Sequence, residues 1–422
     1  MKKTMIIGLG PEYNYPNKVE LWRAENTRYA SNHGASLISR ALLKQFNGEH
    51  VETSEFNKID ELNEKFDQCI IAFATHITSW RDVSVYTNFI EKLKIPVYAF
   101  SLGVQDYSGS ATSIIKIHPS LKRLLEIVSD RSKLLGTRGH YTASILYKNG
   151  FKNVVPIGCP TMYWNLNRDL KINKSKTFNN PAVVYHRTIA GNEGFHLLNS
   201  VPLVGQDFLD EVVFTSNLQN DGSLLQNETK AYKKQGNYNE IMNLIKNNGV
   251  FHYTFQEWFD YLKTRDFVVG PRLHGCIGSL IQGVPAVMFA RDLRVQEIAQ
   301  FFNIPYLKYE ELQLKSSIQQ IYDEADFDAF NKTYSLRYDN YVNFLNENKL
   351  EHNLENSTLN ESYVYSVEDL RTVNFILNSD VQELKIKLDK FERGLRTANI
   401  LYEFFEKLPF AKKIGKSTEN SK

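Results

Sequence analysis

Short apolar runs alternate with amphipathic segments along the first 165 residues of the chain. The apolar runs lie at residues 4–7, 51–56, 68–74, 96–102, 134–137 and 153–157, and the amphipathic segments lie at residues 36–46, 83–93, 120–128 and 141–148. Runs of this length, separated by segments of helical periodicity, are typical of βα units. We therefore predict a Rossmann-like α/β domain over residues 1–165, with a parallel sheet that helices cover on both faces.

The alternation pauses at residues 165–180, a polar stretch rich in Asn and Lys, and restarts after Pro181. We predict strands at residues 182–185, 211–215, 250–253, 267–270 and 286–289, and helices at residues 238–247, 256–263, 276–282 and 294–302. Residues 191–235 fit the alternation poorly and are interpreted as an insertion or a mobile loop. The pattern predicts a second Rossmann-like domain over residues 181–348, with a cleft between the two domains.

The tetrad Arg272-Leu273-His274-Gly275 joins a predicted strand to a predicted helix. The free N–H groups and the dipole of a helix N-terminus favour negative charge, and Arg272 adds a forked donor. His274 can bind an anion or carry a proton, the N–H of Leu273 is expected to face the anion, and Gly275 lets the backbone approach a ligand closely. The tetrad therefore predicts an anion site. The alternatives are structural: Arg272 bridging strand and loop, and His274 donating to a backbone carbonyl.

A seven-residue apolar repeat runs through residues 366–408, after a polar linker at residues 349–365. One seam position reads Val367, Asn374, Val381, Leu388, Leu395 and Tyr402, and the other reads Leu370, Leu377, Leu384, Phe391, Ala398 and Phe405. Such a repeat is typical of a coiled coil, so we expect a long C-terminal helix that joins copies of the chain in a homo-oligomer. A helix packed across its own two domains is the alternative. The basic tail at residues 409–422 is either solvated or in contact with an anionic membrane face.

Charge and cysteine content restrict the class of protein. The 50 Lys and Arg residues and 48 Asp and Glu residues give a net charge of +2, which argues against an extended surface for binding nucleic acid but leaves local basic patches open. The three cysteines lie far apart and are expected to be reduced and buried. The chain is expected to start with a strand rather than a signal peptide, and no apolar run approaches the roughly 18 residues that span a bilayer. We therefore expect a cytoplasmic protein. The basic tail at residues 409–422 suggests, as an alternative, contact with the inner face of the cell membrane.

Several motifs together resemble the polysaccharide pyruvyl transferase family. The specific one is the tetrad with its flanking strand and Gly283-Val284-Pro285, and the weaker ones are Asn32-His33-Gly34, Ser101-Leu102-Gly103, Gly136-Thr137-Arg138 and Gly158-Cys159-Pro160-Thr161. The resemblance spans roughly residues 1–345 and implies a glycosyltransferase-B-type arrangement of the two domains. It also implies transfer of a pyruvyl group from phosphoenolpyruvate to two hydroxyls of a sugar in a surface polysaccharide or its precursor. The product would be a cyclic ketal, with phosphate released.

This reaction assigns roles to individual residues. Phosphoenolpyruvate carries a phosphate and a carboxylate, and leaving either anion buried and unpaired costs on the order of several kcal/mol. We therefore expect at least two arginine guanidinium groups at the site. Donor binding is assigned to Arg272, Leu273, His274 and Gly275, to Arg138 across the cleft, and to Arg187 in reserve. The candidate proton carriers are His274, His76 and His186, and the acceptor side is assigned to Asn32 and Gly34.

No cofactor and no metal are predicted, because arginines can hold the donor and the sequence has no dense cluster of His, Asp and Glu. The main alternative is a nucleotide-sugar-dependent glycosyltransferase of the same architecture. In such an enzyme Glu297 would bind the ribose of the donor, although the acidic partner expected before it is absent. A second alternative is a non-enzymatic head that binds anionic glycan on a coiled-coil scaffold. The sugar acceptor is expected to be linked to a nucleotide, a lipid or a polymer, and the sequence leaves these three open.

Overall fold

The computed structural model describes residues 2–8, 21, 32–105, 116–175, 177–187, 189, 194–199, 201–215 and 238–356 of the chain. The predicted heptad helix at residues 366–408 and the basic tail at residues 409–422 lie outside these residues, and so does the linker beyond residue 356. In the part of the chain that is described, none of the helices combines the length and the apolar character needed to cross a bilayer.

Six parallel strands organise the first half of the chain. They are β1 (Thr4–Ile7), β2 (Gly48–His50), β3 (Gln68–Ala72), β4 (Val97–Phe100), β5 (Leu135–Thr137) and β6 (Val154–Pro156). The first four form a sheet in the order β2-β1-β3-β4, and β5 pairs with β6. A parallel bridge between Leu102 and Thr137 connects the pair to the chain just beyond β4. The helices are α1 (His33–Gln45), α2 (Ile59–Lys65), α3 (Ser84–Lys92), α4 (Pro119–Arg131) and α5 (His140–Lys148).

A second parallel sheet organises the other half. Its strands are β7 (Pro181–Val184), β8 (Leu203–Val204), β9 (Gly249–Val250), β10 (Phe267–Gly270), β11 (Ala286–Ala290) and β12 (Tyr306–Lys308). They lie in the order β9-β8-β7-β10-β11-β12, which is the doubly wound order. The helices are α6 (Phe208–Thr215), α7 (Tyr238–Asn248), α8 (Phe255–Lys263), α9 (Leu273–Leu280), α10 (Leu293–Phe302), α11 (Tyr309–Leu312), α12 (Ile318–Glu324) and α13 (Asp328–Glu347). The strand order reverses between β7 and β10, and ligands of such sheets bind beyond the carboxyl ends of the strands at that point.

The predicted α/β class with parallel sheets is confirmed, and most predicted strands and helices occur within a few residues of their expected positions. The strand predicted at residues 51–56 is wrong. The strand β2 ends at His50, and a 3-10 turn follows at Thr53–Glu55. The turn forms because the carboxylates of Glu52 and Glu55 bond to each other's backbone N–H groups, which is a capping box.

The strand predicted at residues 211–215 is also wrong, because these residues belong to helix α6. The apolar run from Val212 to Phe214 resembles a buried strand, yet all three residues are buried as part of the helix. The Asp207 carboxylate accepts the N–H of Asp210 at 2.9 Å and so caps the first turn. Strand β8 and helix α6 both fall within residues 191–235, so the interpretation of that whole segment as an insertion or a loop is wrong as well.

A continuous apolar core joins the two halves. Helix α13 follows the second sheet in sequence but packs against the first half. Its Tyr341 stacks on Tyr163 with ring centroids 4.2 Å apart and donates its hydroxyl to Gln45 Oε1 at 2.7 Å. Its Phe344 meets Phe100 edge to face at 5.1 Å. The last described helix therefore fixes the position of one sheet relative to the other.

The N-terminus of α1 makes a polar contact between the halves. Asn32 Oδ1 accepts the backbone N–H groups of Gly34 and Ala35 at 2.9 and 3.2 Å, and Gln206 Nε2 of the second half donates to the same oxygen at 2.9 Å. A Cβ atom at Gly34 would lie 2.5 Å from Gln206 Nε2 and 2.6 Å from His274 Cβ. Only a glycine lets the helix approach the second half this closely.

We predict that Tyr341→Phe lowers the free energy of unfolding by about 1–2 kcal/mol, because the buried Gln45 Oε1 loses its hydrogen-bond donor. Urea unfolding followed by far-UV circular dichroism measures the change. Tyr147→Phe is the matched control, since Tyr147 is exposed and its ring rather than its hydroxyl contacts Lys152. Equal stability of the two variants would contradict the role given to the Tyr341 hydroxyl.

His33 is fully buried at the same interface, stacked on Trp258, with Nε2 donating to the His252 carbonyl at 2.8 Å. Burial lowers the pKa of His33 to about 3, so the unfolded chain binds a proton in the acid range that the folded chain does not. Stability contributed by neutral His33 is therefore present above pH 6.5 and is lost as the pH falls below it.

The variant His33→Gln keeps an N–H at the position of Nε2 but cannot titrate. Between pH 7.5 and pH 5.0 we expect wild type to lose about 2 kcal/mol of unfolding free energy relative to this variant. Urea titrations at both pH values measure the difference, and above pH 7.5 the two curves should run parallel. Parallel behaviour down to pH 5.0 would show that His33 is not held neutral.

Candidate active site

A pocket of about 200 Å³ lies where the carboxyl ends of β7 and β10 face the end of β3 from the other half. Its charged lining consists of Arg138 from the first half and of Arg272, Arg291, Asp292 and Arg294 from the second. Four arginines against one aspartate give the pocket a positive field, which favours an anionic ligand.

The tetrad lies at the pocket, at the junction of β10 and α9. Arg272 is the N-cap residue of α9, and the helix begins at Leu273, earlier than the pattern predicted. Leu273 and His274 line the pocket and lie in the first turn, where backbone N–H groups lack partners within the helix. Gly275 does not line it, and a Cβ atom there would lie 2.6 Å from Val184 Cγ1. Gly275 therefore permits close packing of α9 on β7 rather than close approach to a ligand.

Arg272 is tied to the protein on its inner side. Its Nε donates to the Tyr185 carbonyl at 3.0 Å, and its Nη2 donates to Asp207 Oδ2 at 2.7 Å and also to Asp210 Oδ2. Arg187 binds the same two carboxylates, with Nη1 at 3.1 Å from Asp207 Oδ1 and 2.9 Å from Asp210 Oδ1. Two arginines and two aspartates thus form a buried cluster, which we name the Arg272 cluster.

The cluster balances most of its own charge. Burial would raise the pKa of Asp207, but Arg272 and Arg187 outweigh it and hold that pKa below its usual value. Arg187 does not line the pocket, so the structure places this reserve candidate behind the site. Arg272 does line it, and its Nη1 makes no hydrogen bond within the described part of the chain. Arg272 can therefore offer Nη1 to a ligand while Nη2 binds the two aspartates and Nε binds the Tyr185 carbonyl.

Arg138 is bound quite differently. It follows β5, is 3% exposed, and its Nη2 donates to the backbone carbonyl of Ala74. Its Nε and Nη1 have no hydrogen-bond partner among the described residues. Burial is strong enough to lower the pKa of this guanidinium, although nearby Glu297 opposes the shift. A buried cation with unfilled donors at a pocket wall is stabilised when an anion enters.

His274 lines the pocket as a neutral imidazole. Burial, assisted by the charges of Arg138 and Arg294, lowers its pKa to about 3. Its Nε2 lies 3.6 Å from the Sγ atom of Cys159, a residue of the first half. The ring is therefore held between the halves.

His186 also lines the pocket, and both of its ring nitrogens lie 3.3 Å from Nη1 of Arg291. Burial and four neighbouring arginines hold the pKa of His186 well below its usual value. His76 does not line the pocket: its ring stacks on Phe73 at 4.3 Å and faces Tyr86 at 6.4 Å. The structure therefore brings His186 and His274 to one site and leaves His76 beside it, because the chain turns after β3 and packs that ring against Phe73.

The two residues assigned to the acceptor side make structural contacts between the halves. Asn32 lines the pocket, but its side-chain oxygen caps α1 and accepts a hydrogen bond from Gln206 Nε2. Gly34 does not line the pocket and lies packed against Gln206 and His274. Both residues set the approach of the two halves.

The residues that the sequence interpretation missed are Arg291, Asp292 and Arg294. They follow β11 directly, at the same strand-to-helix position that the tetrad occupies after β10. Asp292 caps α10 and pairs with Arg294, with Oδ2 at 3.1 Å from Nε. Repetition of the tetrad's local pattern was the signal that could have found them. Within the described ranges no three His, Cys, Asp or Glu side chains are placed to hold a metal ion.

Glu297 does not lie in the pocket lining. Its Oε1 accepts the N–H of Thr142 at 2.6 Å, and its Oε2 accepts the Thr142 hydroxyl at 2.9 Å. The carboxylate thus caps helix α5 of the other half, whose N-cap residue Gly139 supplies no side chain. A role in binding ribose, which the glycosyltransferase alternative required, would break this contact.

Comparison with solved structures gives distant similarities. A UDP-GlcNAc 2-epimerase from Methanocaldococcus jannaschii, in complex with UDP-GlcNAc and UDP, is 15% identical, with 80% of this chain and 100% of that chain covered and a TM-score of 0.41. A UDP-GlcNAc 2-epimerase from Neisseria meningitidis bound to UDP-GlcNAc is 12% identical, with coverage of 82% and 100% and a TM-score of 0.39. TM-scores in this range do not establish a common fold, so the architecture rests on the strand orders and contacts described above.

Comparison of the sequence with curated proteins finds no match. The family model described as polysaccharide pyruvyl transferase matches residues 32–292, from the cap of α1 to the cap of α10. The match includes Arg138, the Arg272 cluster and the tetrad. Since it covers more than half of the sequence, the chain belongs to the polysaccharide pyruvyl transferase family.

Proposed function

We propose that this protein transfers a pyruvyl group from phosphoenolpyruvate to two hydroxyls of a sugar, in a surface polysaccharide or its precursor. The single observation that carries the proposal, beside membership of the family, is the pair of arginines from opposite halves at one pocket. Arg138 offers Nε and Nη1, and Arg272 offers Nη1. We infer that a small donor with a phosphate at one end and a carboxylate at the other pairs with both guanidinium groups.

The first turn of α9 adds to this binding. Its backbone N–H groups and its dipole favour an anion, and Arg291 and Arg294 extend the positive lining. We infer that both anionic groups of one three-carbon donor contact arginines of this lining.

The reaction balances as follows. One sugar hydroxyl oxygen bonds to C2 of phosphoenolpyruvate, the methylene carbon takes a proton, and the bond from C2 to the phosphate oxygen breaks. The second hydroxyl oxygen then bonds to C2 and closes the ketal. Of the two hydroxyl protons, one remains in the new methyl group and the other leaves with phosphate. His186 and His274 are both neutral and line the pocket, so they are our candidates for exchanging these protons with the substrates.

The glycosyltransferase alternative is not favoured by any contact of the site, because Glu297 is engaged by Thr142. A head that only binds anionic glycan would not need Arg138, a buried arginine with two nitrogens unpaired among the described residues. The sugar acceptor, whether linked to a nucleotide, a lipid or a polymer, would enter from the open side of the pocket.

The function is tested by incubating the full chain with phosphoenolpyruvate and a panel of nucleotide-linked, lipid-linked and polymeric sugars. We expect inorganic phosphate to appear together with a ketal-bearing acceptor detected by mass spectrometry. A matched acceptor with one of the two hydroxyls methylated should yield no ketal. Consumption of a nucleotide sugar without consumption of phosphoenolpyruvate would contradict the proposal.

The two arginines should separate binding from stability. Arg138→Met replaces a cation that has few partners, so we expect unchanged or higher stability and a loss of donor affinity of about a hundredfold or more. Arg272→Met leaves two buried aspartates short of a partner and should lower the free energy of unfolding by about 3–5 kcal/mol. Urea unfolding and calorimetric titration with phosphoenolpyruvate measure both effects. The exposed Arg123→Met is the control for loss of a surface cation.

If Arg138→Met bound phosphoenolpyruvate as tightly as wild type, Arg138 would not be a donor-binding residue. If Arg272→Met were as stable as wild type, the Arg272 cluster would have no structural role.

A further inference from the structure

We propose that Cys159 is a positioning residue that fixes the tautomer of His274, so that the imidazole presents its Nδ1–H to the pocket as a hydrogen-bond donor. The inference rests on the proposed function, in that the group receiving this hydrogen bond is an oxygen of the anionic donor. It assigns His274 to donor binding and leaves His186 as the proton acceptor among the pocket histidines.

The chain of contacts runs through three side chains. Cys159 lies in the turn after β6 and Thr161 in the 3-10 turn Pro160–Tyr163, and both are buried. The Thr161 hydroxyl donates to the sulfur of Cys159 at 3.0 Å. The same sulfur lies 3.6 Å from Nε2 of His274, which crosses from one half to the other.

In this proposal the thiol is the donor in the second contact. The sulfur accepts the hydrogen bond from Thr161, and its own hydrogen is directed to Nε2 of His274, which lies 3.6 Å away. Burial raises the pKa of the Cys159 thiol, so the hydrogen remains on the sulfur at neutral pH. A thiol that donates to Nε2 requires that Nε2 carry no hydrogen.

A neutral imidazole has one ring hydrogen, and Nε2 does not hold it. His274 therefore carries it on Nδ1. This nitrogen makes no hydrogen bond within the described part of the chain, while the ring lines the pocket. The second position of α9 disfavours the imidazolium form and favours an anion nearby. A neutral imidazole at a helix N-terminus that acts as a hydrogen-bond donor is an arrangement known from other enzymes.

The inference is tested first on the free protein. In a long-range ¹H–¹⁵N correlation spectrum, protonated and unprotonated ring nitrogens have separate ¹⁵N shifts. Comparison with His274→Asn identifies the His274 signals among those of the ten histidines. We expect wild type to show a protonated Nδ1 and an unprotonated Nε2. Cys159→Ala should shift His274 toward the other tautomer, and Cys159→Ser, which keeps a donor, should not.

The matched control is Cys276→Ala. Cys276 is a buried thiol in α9, the helix that contains His274. Its hydrogen is directed to the Gly270 carbonyl rather than to a histidine. Its loss should leave the tautomer of His274 unchanged.

The second arm measures pyruvyl transfer by the full chain. Loss of one well-placed hydrogen bond should lower kcat/KM for phosphoenolpyruvate about tenfold in Cys159→Ala. Cys159→Ser should restore most of this loss, and Cys276→Ala should not show it. A merely structural role of Cys159 would lower stability in Cys159→Ala without moving the ¹⁵N shifts.

The two proposals fail separately. An Nε2–H tautomer in wild type, or an unchanged tautomer in Cys159→Ala, would overturn the role of Cys159 even if the enzyme consumes phosphoenolpyruvate. If wild type released no phosphate from phosphoenolpyruvate with any acceptor, the proposed function would fail, and the spectra would still decide the tautomer.

Discussion

The arrangement of this site depends on a difference between two buried arginines that face one pocket from opposite halves. Arg272 is neutralised from within, because Asp207 and Asp210 bind it on the side away from the pocket. Arg138 is held by a single backbone carbonyl, that of Ala74, and two of its nitrogens have no partner in the described chain. A desolvated guanidinium in this state is unfavourable until an anion supplies the missing charge and acceptors. The fold thus supplies Arg272, which stabilises the site, and Arg138, whose charge is balanced when an anionic ligand binds.

The distance between these arginines is set by rigid elements. Arg138 directly follows β5, and Arg272 follows β10 after one residue, Pro271, so each is fixed at the end of a parallel strand. Two contacts hold the sheets together. Tyr341 of helix α13 packs on the first half, and at the cap of α1 Asn32 Oδ1 accepts a hydrogen bond from Gln206 Nε2. Because apolar packing and capping hydrogen bonds both cross the interface, the pocket is positioned by the same contacts that stabilise the fold.

Much of this could be predicted from local patterns. Alternating apolar and amphipathic segments predict two parallel sheets, and a strand running into a helix predicts the anion site at Arg272. The partners of Arg272 could not be predicted, because Asp207 and Asp210 lie some sixty residues earlier, just before an apolar run that resembles a strand. Such ion pairs depend on tertiary contacts, which the local hydrophobic periodicity of the sequence does not reveal. The position of His76 could not be predicted either, since stacking on Phe73 decides where its ring lies.

The most direct test of the account is a crystal structure of the full chain with phosphoenolpyruvate bound. The account predicts one donor molecule in the pocket, with one of its anionic groups on Nε and Nη1 of Arg138 and the other beside Arg272 and the first turn of α9. A donor molecule bound elsewhere, or a bound donor that leaves the Arg138 nitrogens without an anionic partner, would contradict it.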